Sequence, residues 1–186
     1  MMKSYKLVFT GPSGAGKTTA ISVLSDTPVV VTEAKSTQRD PKHQDKHTIT
    51  VGLDYGIIKL NDKEKIHLYG TPGQERFDFM WDILTEGGLG LILLIDNART
   101  DPLEDMRFFL KAFAGFIKKT KVAIGVTRMD ITATPKIADY HEALQPFKLN
   151  PPVFCVDARS KKDVSLLLQA LLYSLDPGLN ETEKKG

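Results

Sequence analysis

The chain has 186 residues, 41% of them hydrophobic, and sets 25 Lys and Arg against 23 Asp and Glu for a formal net charge of +2. That length suits one domain with a full core, and the near-neutral balance excludes binding to nucleic acid or anionic membrane driven by the summed field. A single cysteine, Cys155 in the run Val153-Phe154-Cys155-Val156, excludes an intramolecular disulfide and is expected to be a small buried hydrophobe.

Short apolar runs alternate with longer amphipathic stretches along the whole chain, the pattern of strands joined by crossover helices, so the fold class is α/β with a mostly parallel sheet. Six strands are expected, over 5–10, 51–60, 65–69, 89–96, 121–127 and 153–157. Only the turn Asn61-Asp62-Lys63-Glu64 separates the second from the third, too short for a helical crossover, so one strand should run antiparallel. Helices are expected near 17–25, 76–84, 103–118, 136–146 and 160–175. In the last of these Val164, Leu167, Leu168, Leu171, Leu172 and Leu175 recur at helical spacing and mark a core face. The stretch 28–47, with Lys35, Arg39, Lys42 and Lys46, reads as a long mobile loop, a length that in compact domains tends to be functional. Residues 1–175 form the one expected domain, and 176–186, with Pro177 and Gly178, a flexible tail.

Gly11-Pro12-Ser13-Gly14-Ala15-Gly16-Lys17-Thr18 matches G-x-x-x-x-G-K-[ST] between an expected strand and an expected helix. In such a loop the backbone N–H groups of Gly11, Ser13, Gly14, Ala15 and Gly16, continuing to Thr19, wrap phosphates at a helix N-terminus. Lys17 reaches the outer phosphates and the Thr18 hydroxyl faces Mg²⁺. Downstream stand Gly70-Thr71-Pro72-Gly73-Gln74-Glu75-Arg76-Phe77, directly after an apolar strand, then Thr127-Arg128-Met129-Asp130 and Asp157-Ala158-Arg159, each at the end of a strand. Asp157 reads equally as a cap for the helix that follows. His43, His47, His67 and His141 show no metal-ligand spacing.

Taken together, these segments resemble the motifs of Ras-superfamily GTPases over roughly residues 5–175, which implies a three-layer P-loop G domain with a six-stranded, mostly parallel sheet and one antiparallel strand. By that resemblance Gly73 contacts the γ-phosphate through its N–H and Gln74 orients the attacking water, so Gln74, Lys17 and Gly73 are the catalytic candidates. Thr50 in Thr50-Val51-Gly52-Leu53-Asp54 matches the switch I threonine, with Thr48 as its alternative; Thr18 and Thr50 are then the metal ligands. Asp130 would accept from guanine N1–H and its 2-amino group, Arg128 would lie over the ring, and the N–H of Ala158, beside Arg159, would meet the guanine carbonyl oxygen. Thr127 stands where the family has an asparagine, and Gly70 where it has an aspartate.

The nearest subgroup is similar to bacterial gliding-motility and polarity (Mgl-type) proteins. It implies GTP and GDP with Mg²⁺ as cofactors, a two-state switch with slow intrinsic hydrolysis, and a small roadblock-type regulatory protein or other effector as partner. Those relatives often carry an arginine where this chain has Ile49; Arg39 and Arg76 are the candidate substitutes, each of which reads first as a solvated loop charge. With no apolar signal core, no glycine at position 2 and no cysteine near the C-terminus, the expectation is a cytoplasmic protein without a direct membrane anchor, monomeric on its own. Two rival readings are a nucleotide-dependent binding module that does not hydrolyse and a P-loop phosphotransferase.

Overall fold

The computed structural model describes residues 3–39, 46–73 and 79–175, with side-chain detail for all of these except 32–39, 46–51 and 79. Its elements in chain order are β1 (Lys3–Thr10), α1 (Lys17–Leu24), β2 (Val30–Arg39), β3 (Lys46–Asn61), β4 (Glu64–Gly70), α2 (Phe79–Thr85), β5 (Gly90–Asp96), α3 (Pro102–Ala112), α4 (Ala114–Lys119), β6 (Val122–Thr127), α5 (Ile137–Leu144), β7 (Val153–Cys155) and α6 (Lys161–Leu175). The strands form one 7-stranded sheet in the order β2-β3-β4-β1-β5-β6-β7. β3 is antiparallel to both its neighbours, and the remaining pairs are parallel.

β5 is Gly-Leu-Ile-Leu-Leu-Ile-Asp and is buried at every position, as a parallel strand covered on both faces requires. Alternate residues feed two cores. Leu7, Phe9, Ile92, Leu94 and Ala123 pack under Ile21 and Leu24 of α1 and the Val164, Leu167, Leu168, Leu171 stripe of α6. Val8, Leu91, Leu93, Ile95, Ile124 and Val126 pack on the other face against Met106, Phe109, Leu110, Ile117, Tyr140 and Leu144. The result is the three-layer α/β arrangement expected.

Three differences from the sequence expectation have physical causes. The stretch expected as a loop is strand at 30–39, the seventh strand of the sheet, paired with β3 from Val30↔Tyr55 to Arg39↔Lys46. It lies at the sheet edge with Val31 58% exposed, so it lacks the core periodicity that betrays a buried strand. The helix expected over 103–118 divides at Phe113, whose ψ of 12° leaves the helix while its ring stacks on Trp81 at 5.0 Å between centroids. Cys155 is exposed instead of buried, because β7 pairs only with β6 and is three residues long. The helix expected over 76–84 is described from Phe79 as α2, its first expected residues lying among 74–78, which with the tail 176–186 are outside the described residues. Among the described residues no helix is long and apolar enough to cross a membrane.

The C-terminal ends of the parallel strands, Thr10, Gly70, Asp96, Thr127 and Cys155, meet along one edge of the sheet, and the loops that follow them build the site. Ile92 sits fully buried at the centre of this arrangement. Ile92→Ala is expected to lower unfolding stability by roughly 2–5 kcal/mol in urea titration, with the denaturant slope unchanged.

Candidate functional site

The phosphate loop leaves β1 through Gly11, whose φ of +139° and a would-be Cβ 2.0 Å from the Leu94 carbonyl oxygen admit no side chain. The loop then turns back so that Lys17, the first residue of α1, is only 7% exposed. Its Nζ donates to the carbonyl oxygens of Gly11 at 2.7 Å and Pro12 at 2.8 Å. Burial pushes the Lys17 ammonium down to about 8; the charge of Asp54 opposes that fall and the charge of Arg99 adds to it.

Beside it, the Thr18 hydroxyl donates to Asp54 Oδ2 at 2.5 Å. Asp54 belongs to β3 and stands opposite Gly70 in the β3–β4 register. A Cβ on Gly70 would come within 3.0 Å of Asp54 Cβ and Oδ2, so the missing side chain makes room for this carboxylate. Sequence reasoning took Gly70 as the loss of an acidic group; the structure supplies one from the adjacent strand. Thr50 and Thr48 belong to β3, opposite Lys35 and Thr37 of β2, and their side chains lie outside the described detail.

Gly73 rests directly on the phosphate loop: a Cβ there would meet Ser13 N at 2.4 Å and Lys17 Nζ at 2.8 Å. Pro72 just before it accepts a hydrogen bond from Trp81 Nε1 at 3.3 Å, and Thr71 is tied to β1 through its N–H to the Phe9 carbonyl and its hydroxyl to Thr10. Gln74 and Arg76 lie outside the described residues, and of Arg39 only the backbone, at the end of β2, is described.

A second recess of about 470 Å³ adjoins the loop. Gly14, Ala15, Gly16, Thr19, Thr127, Arg128, Asp130, Ala158 and Arg159 all line it, which brings the two distant strand-end motifs to one place, and Cys155 lines it as well. Thr127 is buried, and its hydroxyl donates to the carbonyl oxygens of Ala15 at 3.1 Å and Ile95 at 3.2 Å. Arg128 adopts a left-handed φ of +58°, and its carbonyl oxygen accepts from the N–H groups of Ile131 and Thr132. Its guanidinium pairs with Asp96 at 2.6 Å, a carboxylate only 5% exposed that also accepts from Ala98 N. Asn97 donates to the carbonyl oxygens of Thr132 and Pro135 and accepts from Tyr140, which pins the loop beyond Asp130. Asp157 does not cap α6; that position goes to Ser160, whose hydroxyl accepts from Asp163 N and donates to its carboxylate. Asp157 instead bonds the side chain and N–H of Arg159, which holds its carboxyl below the usual range.

An ammonium, a hydroxyl and a carboxylate thus meet at a helix N-terminus beside a recess of about 470 Å³, an arrangement suited to a phosphate-bearing ligand whose other end fills the recess. Residues 22–177 match the model of a family described as conserved hypothetical ATP binding protein. The chain belongs to this family. The matched stretch begins within α1, just past the phosphate loop. An uncharacterized protein of Methanocaldococcus jannaschii is 35% identical over 100 residues, 54% of this chain and 56% of that one. The Ras-related protein RABA1h of Arabidopsis thaliana is 30% identical over 108 residues, covering 58% of this chain and 44% of its own. The Ras-related protein Rab-1A of Dictyostelium discoideum is 26% identical over 144 residues, 75% and 63% of the two chains. The chain spans about half the length of the first of these curated relatives. Family match, Rab-like segments and sheet order agree on a small GTPase-like P-loop fold.

The buried ammonium has a measurable signature. A lysine whose folded value lies below its unfolded value binds fewer protons when folded, so stability rises with pH between about 8 and 10.5. The unfolding free energy of nucleotide-free wild type minus that of Lys17→Met is expected to climb by up to about 3 kcal/mol across this window, the equivalent of the shift. A difference flat with pH would show that the amine is not buried as a cation.

Proposed function

We propose that the protein is a guanine-nucleotide switch that binds GTP and GDP with Mg²⁺ and hydrolyses GTP slowly. The observation that carries this reading is the seat of Gly73 against Ser13 N and Lys17 Nζ. A diphosphate can lie in the phosphate loop with Gly73 in that place, whereas a third phosphate competes for the same donors and has to move the Pro72-Gly73 segment. Phosphate number is thereby coupled to the chain on which Gln74 follows. Support for guanine comes from Asp130 at the base recess, an acceptor for two adjacent donors that guanine has and adenine lacks, and from the likeness to Ras-related proteins. The family's description names ATP, so the base is the point to test.

Mg²⁺, when bound, would neutralise charge on the phosphates. Hard oxygens are the right donors for it, and Thr18 and Asp54 present a hydroxyl and a carboxylate within 2.5 Å of each other at the phosphate end. By the resemblance to switch I, Thr50 would join them as a second hydroxyl ligand. Hydrolysis would rest on Gln74 and on Lys17, with Gly73 as a γ-phosphate donor after it moves. With Ile49 where related motility proteins carry arginine, a partner of roadblock type would supply the stimulation, and bacterial polarity or motility is the setting that resemblance suggests.

In competition against labelled GDP, unlabelled GDP and GTP are expected to displace at far lower concentration than ADP and ATP, and Asp130→Asn should narrow that gap; equal displacement by ATP would overturn the guanine reading. In a second measurement, GDP release should accelerate on chelating Mg²⁺ in wild type, and Asp54→Ala should shift that response to roughly tenfold or more higher Mg²⁺, whereas an unshifted response would remove Asp54 from the metal site. Hydrolysis in single turnover should fall in Gln74→Leu with GTP affinity kept, since the side chain would act on water and not on the bound ground state.

A further inference from the structure

Resting on the purine-nucleotide reading above, we infer that Thr127 is a strut and not a reader of the base, so that the site recognises its purine along the Watson–Crick edge and leaves N7 without a partner. With Asp130 on the N1 side and the phosphates on the Lys17 side, the remaining edge of a purine, N7 and the substituent at C6, turns to the inner wall of the recess. Ala15, Thr127, Val156 and Ala158 are the buried residues of the recess lining, joined by the Thr127 bond to Ala15 and by Gly16 seated against Ala158, and of these only Thr127 has a polar side chain. N7 is an acceptor and needs a donor. A threonine hydroxyl has one proton, and here it is shared between the carbonyl oxygens of Ala15 and Ile95 at 3.1 and 3.2 Å in a buried position. Releasing it to N7 would give up the buried bonds to both carbonyls in exchange for one new bond, so the exchange gains little. An amide in this place could bond the loop carbonyl and still offer a second N–H; a hydroxyl cannot.

The same bonds give Thr127 its other task. They tie the phosphate loop at Ala15 to the ends of β5 and β6, so the wall that holds the base and the loop that holds the phosphates move as one piece. A loss of the hydroxyl should then weaken binding of every purine nucleotide alike, independent of N7.

The direct test compares GDP with 7-deaza-GDP, in which a C–H replaces N7, on the full-length wild-type chain. A site that donates to N7 should lose roughly two- to twelvefold in affinity on that exchange. Here the two dissociation constants are expected to agree within twofold, and a larger loss for 7-deaza-GDP overturns the inference. Thr127→Val should raise the dissociation rate of both nucleotides by the same factor, roughly two- to twelvefold, and Thr127→Ser, which keeps the hydroxyl, should restore it; an effect of Thr127→Val on GDP alone also overturns it. If Thr127→Val fails to fold, the wild-type pair and Thr127→Ser still decide. Should adenine nucleotides prove the tighter ligands, the guanine reading fails, while ADP against 7-deaza-ADP puts the same question to N7 and is read by the same threshold.

Discussion

Lys17 has to keep a positive charge where water barely reaches it, and the nucleotide end of the molecule is arranged around that constraint. Gly11 makes the turn that puts two carbonyl oxygens over Nζ, and no residue with a Cβ could pass so close to Leu94. Those carbonyls stand in for solvent but do not replace it fully, which is why the ammonium sits near 8 instead of 10.5. A phosphate would restore the missing stabilisation.

The carboxylate that assists Lys17 depends on sheet topology. Asp54 can face Thr18 because β3 runs antiparallel beside β4 and sets residue 54 across from Gly70. Shift that register by one residue and the acid would point to the opposite face of the sheet. Glycine at 70 and aspartate at 54 are therefore one feature in two places: the first leaves a gap of side-chain size and the second fills it.

This pairing also shows what the sequence could and could not reveal. The phosphate loop is contiguous, and its glycines, lysine and threonine state their chemistry without reference to the rest of the chain. The leucine stripe of α6 and the apolar run of β5 are equally local, and they place the core. Asp54, Asp96 and Asn97 act through partners 36, 32 and 35 residues away, so nothing at neighbouring positions marks them. β2 was read as a loop because an edge strand with polar alternation buries too little to show a period, and it forms only because β3 extends far enough to pair with it. The apolar neighbours of Cys155 suggest core, yet it ends a three-residue edge strand in which only Val153 is buried, and it lines the recess instead.

One line of contacts leads from the phosphate loop into the second core. Ser13 meets Gly73, Gly73 follows Pro72, and the Pro72 carbonyl receives the indole N–H of Trp81, whose ring lies among Phe108, Phe109 and Phe113. Trp81 is 4% exposed and is the single tryptophan of the chain. The bond to Pro72 is long at 3.3 Å, and a neutral bond of this kind contributes about 1 kcal/mol, whereas the stacked aromatic rings contribute that much for each pair beyond their buried area. The weak link is therefore the one between Trp81 and the loop. A ligand that displaced Gly73 would break that bond well before it disturbed the aromatic cluster, leaving α2 anchored while the segment before it moved. The fold thus separates a part that can shift at small cost from a part that cannot, and the separation falls between Pro72 and Trp81.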